Sequence, residues 1–561
     1  MRESMLKTSI RYASYAIYSC LLSFALPATA QQGALEWSAY DQSADLATLA
    51  QHPDEDMHYQ LLNSKVLDKN ALWMPFTEAL AGWTQARYAS LQPLILERSV
   101  PQLQQAVAQG QLSYEELVLF YVYRLREIEL DNSRFLNAVI ALNPEALTRA
   151  RELDAQRAQG EVVAVDSIRG MPVLLKDNIG LSELPTTAGA LALQENRTVD
   201  AFITKQLKAR GAIILGKANL SEWAYFFCAG CPSGYSAMGG QTLNPYGRLR
   251  FGTGGSSSGS GVATAANLAA LTVGSETSGS ILSPASANSA VGLKPTTGAL
   301  SRSGIVPISA TLDTAGPITK SVQDAVILFN AMAGFDPDDE AMPLLSENLQ
   351  LDYRLVSLSG MRLGALARFL DESHYTQALS LLSGEGALVV DLVLPDFDSE
   401  GFSQLLAAEM VRDLALYLDV YAAESVGIDS VAALQSFNSQ SLELRAPYGQ
   451  ALVDMMVELE LDALALEELR ADLQTRARQL LDQLFFENNL DVLLSINNRS
   501  AGLAALANYP ALTIPLGYEE DGRPIGLTLI APGFAEQTLI DVGAQFERLS
   551  QARRMPAAYA N

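Results

Sequence analysis

Gly252-Thr-Gly-Gly-Ser-Ser-Ser-Gly-Ser-Gly261 leads without a break into Val262-Ala-Thr-Ala-Ala-Asn-Leu-Ala-Ala270 and then the apolar run Leu271-Thr-Val273. The first piece alone has the composition of a flexible linker. The alanine-rich piece after it has high helix propensity. A glycine-rich turn that opens a helix presents free backbone N–H groups, which suits an anion. A nucleotide fits poorly, because neither Gly-Lys-Ser/Thr nor a G-x-G-x-x-G between strand and helix is present. Upstream, Pro172-Val-Leu-Leu175 and Ala212-Ile-Ile-Leu215 continue the same texture of short β-rich runs between Gly- and Ser-rich turns. The alternation over residues 161 to 320 predicts an α/β sheet.

Further out, residues 101 to 158 read as helical, with Ser113-Tyr-Glu-Glu116 as a capping box ahead of Leu117, Leu119 and Val122. Residues 31 to 95 are polar, with Trp37, Trp73 and Trp83 spaced through short helices, and read as a helical extension that packs on the main body. Residues 336 to 487 are mostly amphipathic, helical and acidic, with strands near Arg362-Leu-Gly-Ala365 and Ala387-Leu-Val-Val390. Strands return at Val492-Leu-Leu494, Ala511-Leu-Thr-Ile514 and Ile525-Gly-Leu-Thr-Leu-Ile530. With no long linker and no internal repeat, the expected architecture is one large α/β domain over residues 96 to 555.

The N-terminus has its own signature. Arg2, Lys7 and Arg11 precede an apolar segment from Tyr12 to Leu26, and Ala28-Thr-Ala30 supplies a small-x-small cleavage pattern. Residues 1 to 30 are therefore expected to be a signal peptide cut after Ala30, which makes the protein periplasmic or secreted, with no stable membrane insertion afterwards. The formal charge of −25 disfavours nucleic acid as a partner. Cys228 and Cys231 are spaced C-x-x-C, which cannot make a zinc site alone. In an oxidising compartment they form a small disulfide loop or remain two thiols. The composition leaves monomer and homodimer both open.

Gly255-Ser-Ser-Ser-Gly259 also satisfies G-x-S-x-G, the nucleophile elbow, which needs a downstream acid and His. His52, His58 and His374 are the only histidines, and His374 alone lies downstream, in an ordinary helical stretch. A serine hydrolase here therefore needs another base, and lysine is the natural one. The S-x-x-K pattern at Ser4-Met-Leu-Lys7 falls inside the leader and is not a candidate.

The stretch from Gly254 to Thr297 resembles the signature of the amidase signature family. Gly170-Met-Pro-Val-Leu-Leu-Lys-Asp-Asn-Ile-Gly180 is similar to that family's lysine strand. Leu312-Asp-Thr-Ala-Gly-Pro317, Asn508-Tyr-Pro-Ala-Leu-Thr-Ile-Pro515 and Gly522-Arg-Pro-Ile-Gly526 match later segments in order. The resemblance implies a central mixed, twisted sheet covered by helices. It also implies a triad of Ser280 as nucleophile, Ser256 as relay after a cis peptide bond, and Lys176 as base. It places an oxyanion hole in the backbone amides of Thr277, Ser278, Gly279 and Ser280, and calls for no metal or cofactor.

The chemistry makes its own demands. A serine must lose its proton as it attacks. A lysine can take that proton only when burial depresses its pKa from about 10.4. Asp177 would oppose that shift if it lay alongside Lys176, but adjacent strand residues point to opposite faces. Ser257 is expected to support the relay by hydrogen bonding, its blander role being a helix N-cap. Arg302 and Asp313 match family positions and read as structural. Glu276 replaces the usual Asp, and Ser258 and Ser278 replace Gly. Leu282 stands where many members carry Arg, which predicts a less polar substrate pocket.

Gln241-Thr-Leu-Asn-Pro-Tyr246, the triple serine of the loop and the export signal together look most like exported bacterial peptide amidases, which implies a peptide or small-molecule amide substrate and release of ammonia. Aryl or lipid-like amides are the alternative substrates, and an inactive binding protein on the same fold is a remote one. The amidotransferase subunit acting on tRNA is disfavoured, since export would part it from tRNA. Substrate choice is expected to reside in the N-terminal extension and residues 336 to 487.

Overall fold

Apolar runs without alternating polarity need cover on both faces, and the strands built from them lie inside the molecule. The computed structural model describes residues 36–343 and 349–560; the expected leader, residues 1 to 30, lies outside them. In chain order the strands are β1 (Val139–Leu142), β2 (Pro172–Lys176), β3 (Ile213–Ala218), β4 (Tyr235–Ser236), β5 (Gly240–Gln241), β6 (Leu271–Glu276) and β7 (Val291–Lys294). They continue with β8 (Thr314–Thr319), β9 (Arg362–Leu366), β10 (Leu388–Leu392), β11 (Val492–Ile496), β12 (Ala511–Tyr518) and β13 (Pro524–Ile530). Apart from the small β4–β5 pair, they form one sheet in the order β1-β3-β2-β6-β8-β7-β12-β13-β11-β9-β10. The sheet is mixed: β3, β2 and β6 run parallel, as do β11, β9 and β10, and antiparallel pairs join the two sets.

Every residue of β2, β3, β6, β11 and β13 is buried. The helices Ser258–Ala265, Leu282–Ala287, Val322–Met332 and Glu536–Ser550 pack on this sheet and complete a single large α/β body. Residues before β1 are tied in by hydrogen bonds: Asn137 Nδ2 and the Gln241 N–H both donate to the Leu62 carbonyl, at 2.9 and 2.8 Å. Lys69 donates to Glu129, both of them buried. The acidic middle of the chain supplies β9, β10 and the helices Phe402–Val420, Val431–Ser439 and Ala463–Asn488. Among the described residues, no helix is long and apolar enough to cross a membrane.

Two local expectations are corrected. The helical reading of residues 101 to 158 misses β1, which sits between the helices Tyr114–Glu129 and Ala146–Ala158 and pairs antiparallel with β3 at the sheet edge. Val139 and Ile140 are β-branched, and Asn137 just ahead of them adopts φ 51°, which breaks the preceding helical path. The helix expected to run through Ala270 ends at Ala265. Asn267 takes φ 54°, a left-handed stop that turns the chain into β6.

Candidate active site

Lys176 is the last residue of β2, and Ser275 lies near the end of the neighbouring parallel strand β6. Parallel strands that end at one sheet edge bring their last side chains together, which is the usual place for a site in such sheets. Lys176 is fully buried, and its Nζ lies 2.8 Å from Ser256 Oγ, 2.9 Å from Ser275 Oγ and 3.0 Å from the Ser275 carbonyl. Among the described residues, no carboxylate touches it. Burial lowers its pKa to about 7, although Asp313 and then Glu276 pull in the other direction through their charge. Lys217 and Lys294 are also buried and lowered, yet neither contacts a serine hydroxyl of the site. Lys217 pairs with Asp177 at 3.3 Å, and Lys294 donates to the Pro295 carbonyl. Asp177 thus points away from Lys176, as strand alternation requires.

The loop that carries Ser256 is held on several sides. The Gly255–Ser256 peptide is cis, and Gly254 adopts φ 64° so close to Ser283 that a Cβ would meet its backbone at 2.7 Å. The Ser256 carbonyl accepts from the Ser221 N–H at 3.0 Å. Ser257 takes the N-cap place of the helix Ser258–Ala265, but its side chain makes no cap bond. Its hydroxyl instead donates to the Ser275 carbonyl at 3.0 Å and accepts from the Ser275 N–H at 3.2 Å, stitching loop to strand. Ser258 closes the loop by donating to the Gly254 carbonyl at 2.7 Å.

Ser280 ends the turn that follows β6, and its carbonyl accepts from the Ser257 N–H at 3.2 Å. Glu276 organises this turn. Its carboxylate accepts from the N–H groups of Gly279 (2.7 Å), Ile281 (2.6 Å) and Leu282 (3.0 Å). The expected oxyanion set is corrected here, because the Gly279 N–H is already spent on Glu276. The N–H groups of Thr277, Ser278 and Ser280 have no hydrogen-bond partner among the described residues. Thr277 Oγ1 donates to Asp313, whose other oxygen accepts from Ile308 and Ser309 N–H at 2.8 and 3.0 Å. Burial raises the Asp313 carboxyl to about 6. Arg302 pairs with Asp339.

A cavity of about 670 Å³ opens over Ser280, Ser278 and Thr277. Its walls include Tyr59 from the N-terminal region, Tyr225, Phe251 and Phe402, with Asp54, Asp56 and Arg523 among the charged groups. Tyr225 closes the left-handed turn Trp223-Ala-Tyr225 (φ 51°, 54° and 79°) and donates to the Cys231 carbonyl at 2.8 Å. Cys231 is joined to Cys228 as a disulfide, with the Cα atoms 5.7 Å apart. Leu282 does not border the cavity. It is fully buried in the core, while its neighbour Ser283 faces the space, so the inference of a less polar pocket from Leu282 is withdrawn. His374 does not line it either.

The structure brings Lys176 against Ser256 and sets the Ser280 carbonyl against the Ser257 N–H, while sequence reasoning missed Ser275 and Asn178. Asn178 Nδ2 donates to Ser275 Oγ at 2.9 Å and so orients the hydroxyl beside the lysine. The signal was present: Ser275 lies five residues before Ser280 in the stretch from Gly254 to Thr297, on a strand parallel to the lysine strand.

With this geometry in view, comparison with known proteins is direct. Residues 121–498 match the family model described as Amidase. A protein of Arabidopsis thaliana described as a probable amidase is 35% identical over 82% of this chain and 92% of its own length. An amidase family protein from Bacillus anthracis superposes with a TM-score of 0.83 and 35% identity, covering 88% of this chain and 99% of that one. The peptide amidase from Stenotrophomonas maltophilia superposes with a TM-score of 0.76 and 37% identity, covering 82% and 98%. The chain belongs to the amidase signature family. It is an amidohydrolase that cleaves amide C–N bonds.

The three N–H groups on Glu276 give a stability prediction. Glu276→Gln turns one acceptor oxygen into a donor facing a donor, and the loss of charge-assisted bonds is expected to cost about 2–3 kcal/mol. Chemical denaturation reads this directly, and an unchanged midpoint would show that the turn does not depend on the carboxylate.

Proposed function

We propose that Ser280 is the nucleophile, Ser256 the proton relay and Lys176 the base of an amidase acting on the C-terminal carboxamides of peptides. The observation that carries this reading is the 2.8 Å approach of a fully buried, uncountered Lys176 Nζ to Ser256 Oγ, beside the cavity over Ser280. A neutral amine has two N–H bonds and one lone pair. Three oxygens surround Nζ, so two can accept from it while the Ser256 hydroxyl donates to the lone pair. Ser256 then takes the Ser280 proton as Ser280 Oγ attacks the carbonyl carbon, and passes a proton to the departing nitrogen.

The developing oxyanion is received by the free N–H groups of Thr277, Ser278 and Ser280. Water then enters, gives its proton back along the same path, and releases the acid. Ser257 and Asn178 hold the relay and Ser275 in register. The aromatic walls over Ser280 suit an extended, partly apolar acyl group such as a peptide. The named peptide amidase at 37% identity supports that choice of substrate.

Three measurements test this. Fluorophosphonate is expected to label Ser280, as read by mass spectrometry, while Ser280→Ala and Lys176→Ala each lower kcat by about a thousandfold or more. Labelling elsewhere, or an active Lys176→Ala, overturns the assignment. Below its pKa the lysine is an ammonium and accepts nothing, so kcat/KM should rise with pH through a midpoint of about 7 and then level off. A profile flat from pH about 5 to 9 would contradict a lysine base. We also propose export to the periplasm or medium, so the mass of the collected protein should begin at Gln31; a mass retaining residues 1 to 30 rules out the cut.

A further inference from the structure

The segment from Ser221 to Gly234 leaves the loop that carries Ser256 and comes back to its own start. The Ser221 N–H donates to the Ser256 carbonyl at 3.0 Å, and Ser221 Oγ accepts from the Gly234 N–H at 2.9 Å, which pins the two ends together. Between those ends, Ala224, Tyr225, Phe226 and Ser233 border the cavity over Ser280. Ala224 also borders a second cavity, of about 800 Å³, walled by Leu416, Val420 and Tyr421. Trp223, Phe226 and Phe227 are buried, whereas Tyr225 is 42% exposed, as the wall of an open cavity requires.

The backbone does not hold this wall by itself. Trp223, Ala224 and Tyr225 are three consecutive left-handed residues, none of them Gly, and L side chains avoid that region because Cβ crowds the following carbonyl. The entry to the turn is fixed, since the Trp223 N–H donates to the Ala188 carbonyl at 2.9 Å. Its exit is not. From Phe227 to Cys231 no backbone N–H has a hydrogen-bond partner among the described residues, and such a stretch opens locally at small cost.

Two ties remain at that exit. Cys228 and Cys231 are bridged with their Cα atoms 5.7 Å apart, and the Tyr225 hydroxyl donates to the Cys231 carbonyl at 2.8 Å. The bridge sets where that carbonyl stands, and the carbonyl sets where the phenol stands. Resting on the amidase reading above, we propose that Tyr225 contacts the acyl part of the substrate and that the Cys228–Cys231 disulfide is its positioning device. Without the bridge the left-handed turn relaxes at its exit and Tyr225 leaves the wall. The bonds that hold Ser256 and its loop, from the Ser221 N–H and the Ser257 hydroxyl, lie outside the bridged residues. Binding therefore weakens while the chemical step is kept.

Cys228→Ala combined with Cys231→Ala removes the bridge, and a thermal melt verifies that the variant folds. For a tripeptide amide, KM is expected to rise about fivefold or more, with kcat held within about twofold. The rate at which a small fluorophosphonate labels Ser280 should not change. Tyr225→Phe loses only the hydroxyl and should raise KM in the same way. The triple variant should be no worse than the cysteine pair alone, because both changes act through one contact.

An unchanged KM in the cysteine pair overturns the proposal even where the melting temperature falls, since the bridge then only stabilises the fold. A loss of kcat without a rise in KM overturns it too, as do effects of the two changes that simply add. Should the cysteine pair fail to fold, Tyr225→Phe carries the test, and an unchanged KM there is equally fatal. Failure of the nucleophile reading shows separately, as absence of the label from Ser280 in the wild-type enzyme.

Discussion

An amine in the protein interior must either find a counter-charge or give up its proton, and Lys176 has oxygens around it but no carboxylate in contact. Withdrawal from water takes its pKa from the ordinary 10.5 down to about 7, against the pull of Asp313 and Glu276, and so favours the neutral amine. The burial of β2 and β6, the serine loop pressed over the strand ends and the placement of Ser275 all serve to keep that amine dry and yet hydrogen-bonded. A single water-filled gap beside Nζ would return the lysine toward its ordinary charged state.

Two carboxylates stand near enough to work against this, and the way each is held limits the effect. Glu276 accepts three N–H bonds from the turn that carries Ser280, and Asp313 accepts from Thr277, Ile308 and Ser309. Their oxygens are directed at those donors and make no contact with Nζ, so their pull on Lys176 is a through-space attraction that burial outweighs. Consecutive residues of one chain segment divide the labour. Ser275 meets the Lys176 amine, Glu276 shapes the turn, and Thr277 and Ser280 border the cavity.

The central part of this arrangement was readable from the chain because it is local in the sheet. The family resemblance pointed to Lys176, Ser256 and Ser280, and the scarcity of histidine removed the rival elbow scheme around Ser257 and His374. Strand runs such as Val492-Leu-Leu494 and Ile525-Gly-Leu-Thr-Leu-Ile530 announced themselves by their largely apolar character. What was hidden depends on partners. β1 was masked by the helices on either side, and its edge pairing with β3 decides its state. The free or spent condition of the Gly279 N–H depends on where the longer Glu276 side chain reaches. Leu282 looked like a pocket residue from its distance to Ser280, yet the first turn of its helix directs it into the core and leaves Ser283 at the cavity.

The walls come from segments remote in sequence, including Asp54 to Tyr59, Phe402 to Tyr421 and Arg523, and this separation has a mechanical consequence. The loop Ile308–Asp313 ties the reacting turn to the helix Phe402–Val420. Asp313 grips Thr277 at one end of that loop. At the other, the buried Glu409 accepts from Ser309 and Thr311, and Asp413 accepts from the Ala310 N–H at 2.7 Å. Glu409 and Asp413 therefore anchor the helix Phe402–Val420 to the loop that holds Thr277. The wall helix and the turn that carries Ser280 are thus parts of one hydrogen-bonded unit, whereas the Lys176–Ser256 contact is made by β2 and the serine loop.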